Sequence, residues 1–275
     1  MQRTDRRKTV LVTGTSSGIG RATAEHFSAR GWNVAATMRR PEADTALRAL
    51  ANTKLYALDV TSNDSIESAM ESVVRDFGAI DCLVNNAGYG VDGVFEAMSD
   101  EVIAKQFETN VFGLMKTTRA VIPRMRANGG GSIVQIASMG GRITFPLFSL
   151  YHGTKWAVEG FSESLHYELR PFGIHVKIVE PGAIKTDFYG RSRVFVGGER
   201  EEYRSIVAKA EKVSQGPAQT GAPPELVARA IEKAATHTGR RIRFAVGAPA
   251  PMLLALRRFL PETLFFAIVR SSYGL

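Results

Sequence analysis

The chain has 275 residues, 44% hydrophobic content and a formal charge of +8, enough apolar material for one large α/β domain and without a compositional break to mark a second. A single cysteine, Cys82, excludes an internal disulfide and suits a reducing compartment, no apolar run reaches the ~18 residues of a membrane span, and the first residues carry no signal-peptide core. A soluble, cytoplasmic protein is therefore expected, and nucleic acid is not, because the basic residues cluster near the ends (Arg3, Arg6, Arg7, Lys8; Arg240, Arg241, Arg243, Arg257, Arg258) without an aromatic platform or a nucleic-acid module.

The first strand reads as residues 9–13 and ends in Gly14-Thr15-Ser16-Ser17-Gly18-Ile19-Gly20, before an amphipathic helix carrying Ala22, Ala24, Phe27 and Ala29. Glycines let backbone approach a pyrophosphate, and a helix amino terminus supplies N–H groups and a favourable dipole, so this is a candidate phosphate-binding turn. Strand and helix signals then alternate: strand 32–37, helix 42–50, strand 54–58, helix 64–77 and strand 80–84. A long helix follows over 100–125, then strand 131–137, a helix from about 149, strand 174–179, helix 225–235 and strand 242–246. Such alternation predicts βαβ units and about seven parallel strands in one doubly wound sheet. No metal-ligating cluster is read in it.

Several turns fall at carboxyl strand ends, where ligands of open parallel sheets sit. Asp59-Val60 offers an acceptor for an adenine amino group, and Asn86-Ala87-Gly88 offers small side chains against a flat ring or ribose, though all are also ordinary turn formers. Asn110 is a poor helix former within its helix and invites a polar role. Pro181-Gly182-Ala183-Ile184-Lys185-Thr186 makes a stiff turn whose backbone and Thr186 hydroxyl could meet a carboxamide.

Ser138 stands at the carboxyl end of strand 131–137, and the helix beyond it sets Tyr151 and Lys155 four apart on one face. A free phenol titrates near pH ~10, and a neighbouring ammonium lowers that value, so Tyr151 could donate a proton to a carbonyl oxygen or accept one from an alcohol. Ser138 would hold the same oxygen. Taken alone, the Tyr/Lys pair is equally an exposed pair on a helix.

The set Thr13-Gly14-x-x-x-Gly18-x-Gly20, Asn85-Asn86-Ala87-Gly88, Asn110, Ser138, Tyr151-x-x-x-Lys155 and Pro181-Gly182 resembles the short-chain dehydrogenase/reductase family over roughly residues 8–248. The resemblance implies a single-domain Rossmann fold and a catalytic tetrad of Asn110, Ser138, Tyr151 and Lys155. Lys155 would also hold the nicotinamide ribose, and Asn110 would position a water. The remaining cofactor contacts implied are Gly14, Ser16, Ser17, Gly18, Ile19, Gly20, Arg39, Asp59, Val60, Asn86, Ala87, Gly88, Pro181, Gly182, Ile184 and Thr186. The stretch from Ser138-Met139-Gly140-Gly141 to Tyr151 is most similar to the hydroxysteroid and retinol dehydrogenase branch. By the same resemblance the protein is expected to be a homodimer or homotetramer. The alternative from another class is a catalytically silent dinucleotide-binding regulator of the same fold.

At the end of the second strand Met38 stands where NAD-type members carry Asp, and Arg39-Arg40 follow; guanidinium matches a 2′-phosphate, so NADP(H) is expected over NAD(H), with Arg39 as the contact. The segment 187–221 reads as a substrate lid, with a helix over 199–213 and aromatic residues Phe188, Tyr189, Phe195 and Tyr203. Together with Phe145, Leu147 and Phe148 it predicts an apolar pocket, and Ser138, Phe145, Phe148, Tyr151, Phe188 and Tyr189 are the substrate contacts expected for a small apolar carbonyl or alcohol. The tail 249–275 is apolar and basic; such helices more often cover a core or a partner subunit, so peripheral membrane contact is the lesser expectation.

Overall fold

The computed structural model describes residues 6–186 and 193–275. Its main sheet has seven parallel strands, β1 (Thr9–Thr13), β2 (Asn33–Met38), β3 (Thr53–Ala57), β4 (Cys82–Asn85), β6 (Gly131–Ile136), β7 (Ile174–Pro181) and β9 (Arg243–Val246), in the order β3-β2-β1-β4-β6-β7-β9. This is a doubly wound Rossmann-type sheet, and the order reverses between β1 and β4, where the crevice for a ligand opens.

Period-two alternation explains why both faces are covered. In β1, Val10 and Val12 join a cluster with Phe27 of α1 (Gly18–Ala29) and Val227 and Ile231 of α7 (Pro224–Thr236). Leu11, between them, points the other way. It meets Ile66 and Met70 of α2 (Asn63–Phe77), Val121 of α4 (Leu114–Ala127) and Leu165 of α5 (Ser149–Leu169). Cys82 lies fully buried within the first of these clusters, and burial pushes its thiol well above the ordinary range, which leaves it an inert core residue.

Two elements differ from the sequence expectation. The segment 42–50 is not a helix but two short 3₁₀ turns, Pro41–Ala43 and Leu47–Ala49. Asp44 is the cause: its buried carboxylate takes the Leu47 N–H at 3.0 Å and pairs with Arg21, so the side chain competes with helical hydrogen bonds. The helix expected over 100–125 is divided into α3 (Asp100–Phe107), a π turn (Glu108–Gly113) and α4. The π turn carries Asn110 inward, and Gly113 lies so close to Val60 that a Cβ there would come within 2.7 Å of the valine side chain.

A second sheet, which no sequence signal marked, pairs β5 (Gly90–Gly93) with β8 (Arg193–Val196) in parallel. The segment read as a loop-and-helix lid therefore contains a strand. It is held by the buried Asp92 carboxylate, which accepts from Arg193 Nε at 2.7 Å. The lid helix is α6 (Arg204–Thr220), later than the 199–213 expected, after a 3₁₀ turn at Glu201–Tyr203. The tail forms α8 (Ala250–Phe259) and α9 (Glu262–Ser272). Among the described residues no helix is long and apolar enough to cross a membrane.

Candidate active site

At the switch point the glycine turn is stapled to the end of β4. The Thr13 hydroxyl accepts from the N–H groups of Asn86 and Ala87, each at 3.0 Å, while the Asn86 amide donates to the carbonyls of Thr13 and Gly14. A Cβ on Gly20 would lie 2.2 Å from the Gly14 carbonyl oxygen, so only glycine closes this turn. Asn86 thus spends its side chain on the turn itself, a role the residue-by-residue reading did not supply. Replacing Thr13 by the isosteric Val leaves two N–H groups without their acceptor; an expected loss of about 2–3 kcal/mol in denaturant unfolding measures the staple.

Ser17 caps α1 in extended conformation without a side-chain hydrogen bond to the helix, leaving the amino-terminal end of α1 uncovered by its own cap. Gly18, at φ +56, has Thr186 as its neighbour, so the 181–186 turn lies against the glycine turn. On the β2 side, Thr15 donates to the Thr37 carbonyl from both N–H and hydroxyl. Arg39 beyond it is exposed and lies near enough to Asp59 to lower that carboxyl: burial raises it, and hydrogen bonds from Thr61 with the charges of Arg39 and Lys116 outweigh burial. Met38, by contrast, is 5% exposed and packed in the core. The side chains exposed at this edge are those of Arg39 and Arg40. These features, a cradle that a Cβ would fill, an uncapped helix amino terminus and an exposed guanidinium, fit an adenine dinucleotide.

On the other side of the crevice, Asn110, Ser138, Tyr151 and Lys155 come together. Lys155, 8% exposed, donates to the Ile136 carbonyl at 2.9 Å, and its Nζ stands 5.8 Å from the centre of the Tyr151 ring. Burial lowers its ammonium from 10.5 to about 8, with Glu159 opposing. Asn110 Nδ2 donates to the Tyr89 carbonyl at 2.8 Å and to Thr154 Oγ1 at 3.3 Å, while its Oδ1 accepts from the Tyr89 N–H. Thr154 in turn donates to the Tyr151 carbonyl, so Asn110 ties the β4 loop to the tyrosine helix. The Ser138 hydroxyl accepts from Gly140 N–H at 3.0 Å, which leaves its own proton to donate outward.

The apolar side is arranged around His152, which sequence reasoning missed. Its ring stacks on Phe148 at 5.6 Å, lies 5.8 Å from Phe145 and takes the Phe145 N–H on Nδ1. Burial lowers it to about 4, so it is neutral near pH 7. Leu147, between the two phenylalanines, has φ 67, a left-handed conformation, and its carbonyl accepts from Gly93 N–H at 2.7 Å, pinning the segment to β5. Phe148 is 6.4 Å from Tyr151. Phe188 and Tyr189 lie outside the described residues. A cleft of about 220 Å³ between α1 and α7, lined by Gly18, Arg21, Lys185, Thr186 and Glu225 among others, contains none of the four clustered residues.

Behind Lys155, one turn along α5, the buried Glu159 pairs with Arg243 at 2.9 Å. Burial and the neighbouring Glu180 push its carboxyl up to about 7, against Arg243 and Arg142.

Comparison with known proteins matches residues 8–194 to the family described as short chain dehydrogenase. A 3-ketodihydrosphingosine reductase from Bacteroides thetaiotaomicron is 32% identical over 268 residues, covering 97% of this chain and 98% of its own. Among solved structures, ElxO with NADP bound is 27% identical with a TM-score of 0.73, covering 87% of this chain and 97% of its own. A short chain dehydrogenase/reductase from Burkholderia phymatum in complex with NAD is 25% identical with a TM-score of 0.80, covering 95% of each chain.

Proposed function

Because the chain belongs to the short-chain dehydrogenase family, we propose that it moves hydride between a nicotinamide dinucleotide and the carbonyl or secondary-alcohol carbon of an apolar substrate, with Tyr151 giving or taking the proton. One observation carries this reading: a buried lysine stands beside a half-buried tyrosine and donates to the Ile136 carbonyl, two residues before Ser138, whose hydroxyl accepts from Gly140 and keeps its own proton to donate.

Residues Gly14 to Gly20 and the 181–186 turn would hold the dinucleotide phosphates and carboxamide, with Asp59-Val60 and Asn86-Ala87-Gly88 against its adenosine and ribose edges. The nicotinamide, when bound, supplies hydride in reduction and accepts it in oxidation. Ser138 would hold the substrate oxygen by its free O–H. The Tyr151 phenol would pass its proton to that oxygen as negative charge builds there, and the Lys155 ammonium would stabilise the phenolate left behind. Lys155 would also bind the ribose hydroxyls. Asn110 would hold the water through which Tyr151 is reprotonated, on a π turn fixed to Tyr89 and Thr154.

The substrate would lie against Phe145 and Phe148 beneath the segment 187–221, which acts as a lid of the single domain and brings Phe188 and Tyr189 to it. A relative named as reductase of a keto compound fits an apolar ketone. A silent dinucleotide-binding regulator would use Lys155 for the ribose but would have no use for the Tyr151 phenol beside it.

The cofactor is proposed as NADP(H), with Arg39 binding the 2′-phosphate and NAD(H) as the poorer donor; ElxO holds NADP and the Burkholderia phymatum protein holds NAD. Catalytic efficiency should be measured with both dinucleotides against a panel of ketones and aldehydes. Wild type is expected to favour NADPH, and Arg39→Ala to weaken NADPH about tenfold or more while sparing NADH. Because Met38 is buried, Met38→Asp would bury a carboxylate and confound the measurement. A wild type that favours NADH overturns the cofactor choice. Binding of dinucleotide without oxidation on any panel member overturns the reaction and leaves the regulator.

A further inference from the structure

His152 directly follows Tyr151 and is only 4% exposed, yet one of its two ring nitrogens has no partner. Nδ1 accepts the Phe145 N–H at 3.3 Å, and a backbone N–H can only donate, so Nδ1 carries no proton. The ring is neutral near pH 7, because burial lowers it to about 4. Its single proton therefore sits on Nε2, and the bond from Phe145 fixes that tautomer.

Among the described residues no acceptor meets this Nε2–H. A donor shut inside a protein without an acceptor is rare, and Nε2 is not one of the unpartnered polar atoms closed off from solvent. It opens instead beside Ser138. A Cβ on Gly140 would lie 2.8 Å from His152 Nε2 and 3.4 Å from Ser138 Oγ, so both atoms border one point, which glycine leaves free. The stack on Phe148 holds the imidazole in place, and the Tyr151 ring is 6.0 Å from it. A third proton donor of fixed orientation thus stands next to Ser138 and Tyr151.

The reacting oxygen has no need of it. A carbonyl oxygen offers two lone pairs, and in the proposed reaction Ser138 and Tyr151 take both. The His152 proton is left for a different acceptor. Two oxygens on adjacent carbons stand about 3 Å apart and reach two neighbouring donors through hydrogen bonds of about 2.8 Å each.

We propose that His152 Nε2–H binds a second oxygen of the substrate, and that the site selects ketones with a hydroxyl, ether or carbonyl oxygen on the carbon beside the reacting carbonyl. The inference rests on the reading of Ser138 and Tyr151 as donors to the reacting oxygen, and it makes an otherwise apolar pocket specific at one point. A plain ketone leaves the donor unpaired when it binds. That is how a site built around a buried polar group rejects an analogue lacking its partner.

The ketones α-methoxyacetophenone and butyrophenone differ only in an ether oxygen exchanged for a methylene at that position. Titration calorimetry of the full chain saturated with NADP⁺ reads both affinities, since oxidised dinucleotide reduces neither ketone. The quantity of interest is the ratio of the two affinities within each protein. His152→Asn keeps an acceptor for the Phe145 N–H but is too short to donate from the place of Nε2, whereas His152→Gln reaches that place with an N–H. The preference for α-methoxyacetophenone is expected to fall about tenfold from wild type to His152→Asn and to stay near the wild-type value in His152→Gln. An equal ratio in wild type and His152→Asn overturns the proposal. So does a fall shared by both variants, which would trace the effect to the lost ring, and so does no binding of either ketone. Turnover of both ketones with NADPH is measured alongside. Discrimination in binding without turnover of either supports the contact and overturns the reaction; turnover without discrimination overturns the contact alone.

Discussion

Tyr151→Phe is expected to bind dinucleotide as wild type does and to lose at least ~100-fold in kcat, the ordinary range for removing a general acid. The substitution deletes one oxygen and leaves the ring contacts with Phe148 and His152, at 6.4 and 6.0 Å, intact. Folding and the apolar wall should therefore survive. In the proposed reaction the phenolic proton is transferred only as charge develops on the substrate oxygen, so kcat and kcat/KM should fall together with little change in KM. Stopped-flow reduction of a ketone by a fixed amount of reduced dinucleotide reads the step directly. Near-wild-type turnover in this variant would remove Tyr151 from the reaction and with it the reading of the site.

Lys155→Met should lose more, about 1,000-fold in kcat/KM, since it removes both the charge that stabilises phenolate and a charged hydrogen bond to the dinucleotide, the latter about tenfold by itself. The same variant carries a stability signature of opposite sign. Burial places the Lys155 ammonium at about 8 in the folded chain, below its ordinary 10.5. The folded state therefore binds that proton less readily than the unfolded chain does. At pH 7 the buried charge costs folding free energy, and the cost is relieved as pH rises above about 8. Lys155→Met should consequently hold or raise Tm at pH 7 while abolishing activity, and its advantage over wild type should shrink from pH 8 upward. An inactive variant whose Tm falls sharply at pH 7 would point to a structural lysine. Titration calorimetry with the dinucleotide separates the ribose role: unchanged affinity in Lys155→Met removes it.

His152 and Glu159 show where sequence reading stopped. His152 is adjacent to Tyr151, but adjacency on a helix turns a side chain to a different face, and nothing in the local pattern says that it would stack between Phe145 and Phe148. Glu159 looks like a helix-surface acid one turn beyond Lys155. Its charged neighbours Arg142, Glu180 and Arg243 arrive from three separate segments.

Continuous apolar runs in β1, β4 and β6 sufficed to predict a sheet covered on both faces, because parallel strands with no solvent face must be apolar along their length. The glycine turn was legible because φ near +60 and a Cβ-free approach demand glycine at Gly14, Gly18 and Gly20 whatever the rest of the chain does. The four-residue spacing from Tyr151 to Lys155 was legible because a helix always brings such residues to one face. Tertiary structure alone decided the break at Asp44, the π turn at Asn110, the pairing of β5 with β8 and the packing of the tail on Ile143. Each turns on a contact between segments far apart in the chain: Arg21 with Asp44, Asn110 with Tyr89, Asp92 with Arg193, Phe265 with Ile143. A buried carboxylate or carboxamide takes the partner that closure of the fold delivers, and local periodicity carries no record of that partner.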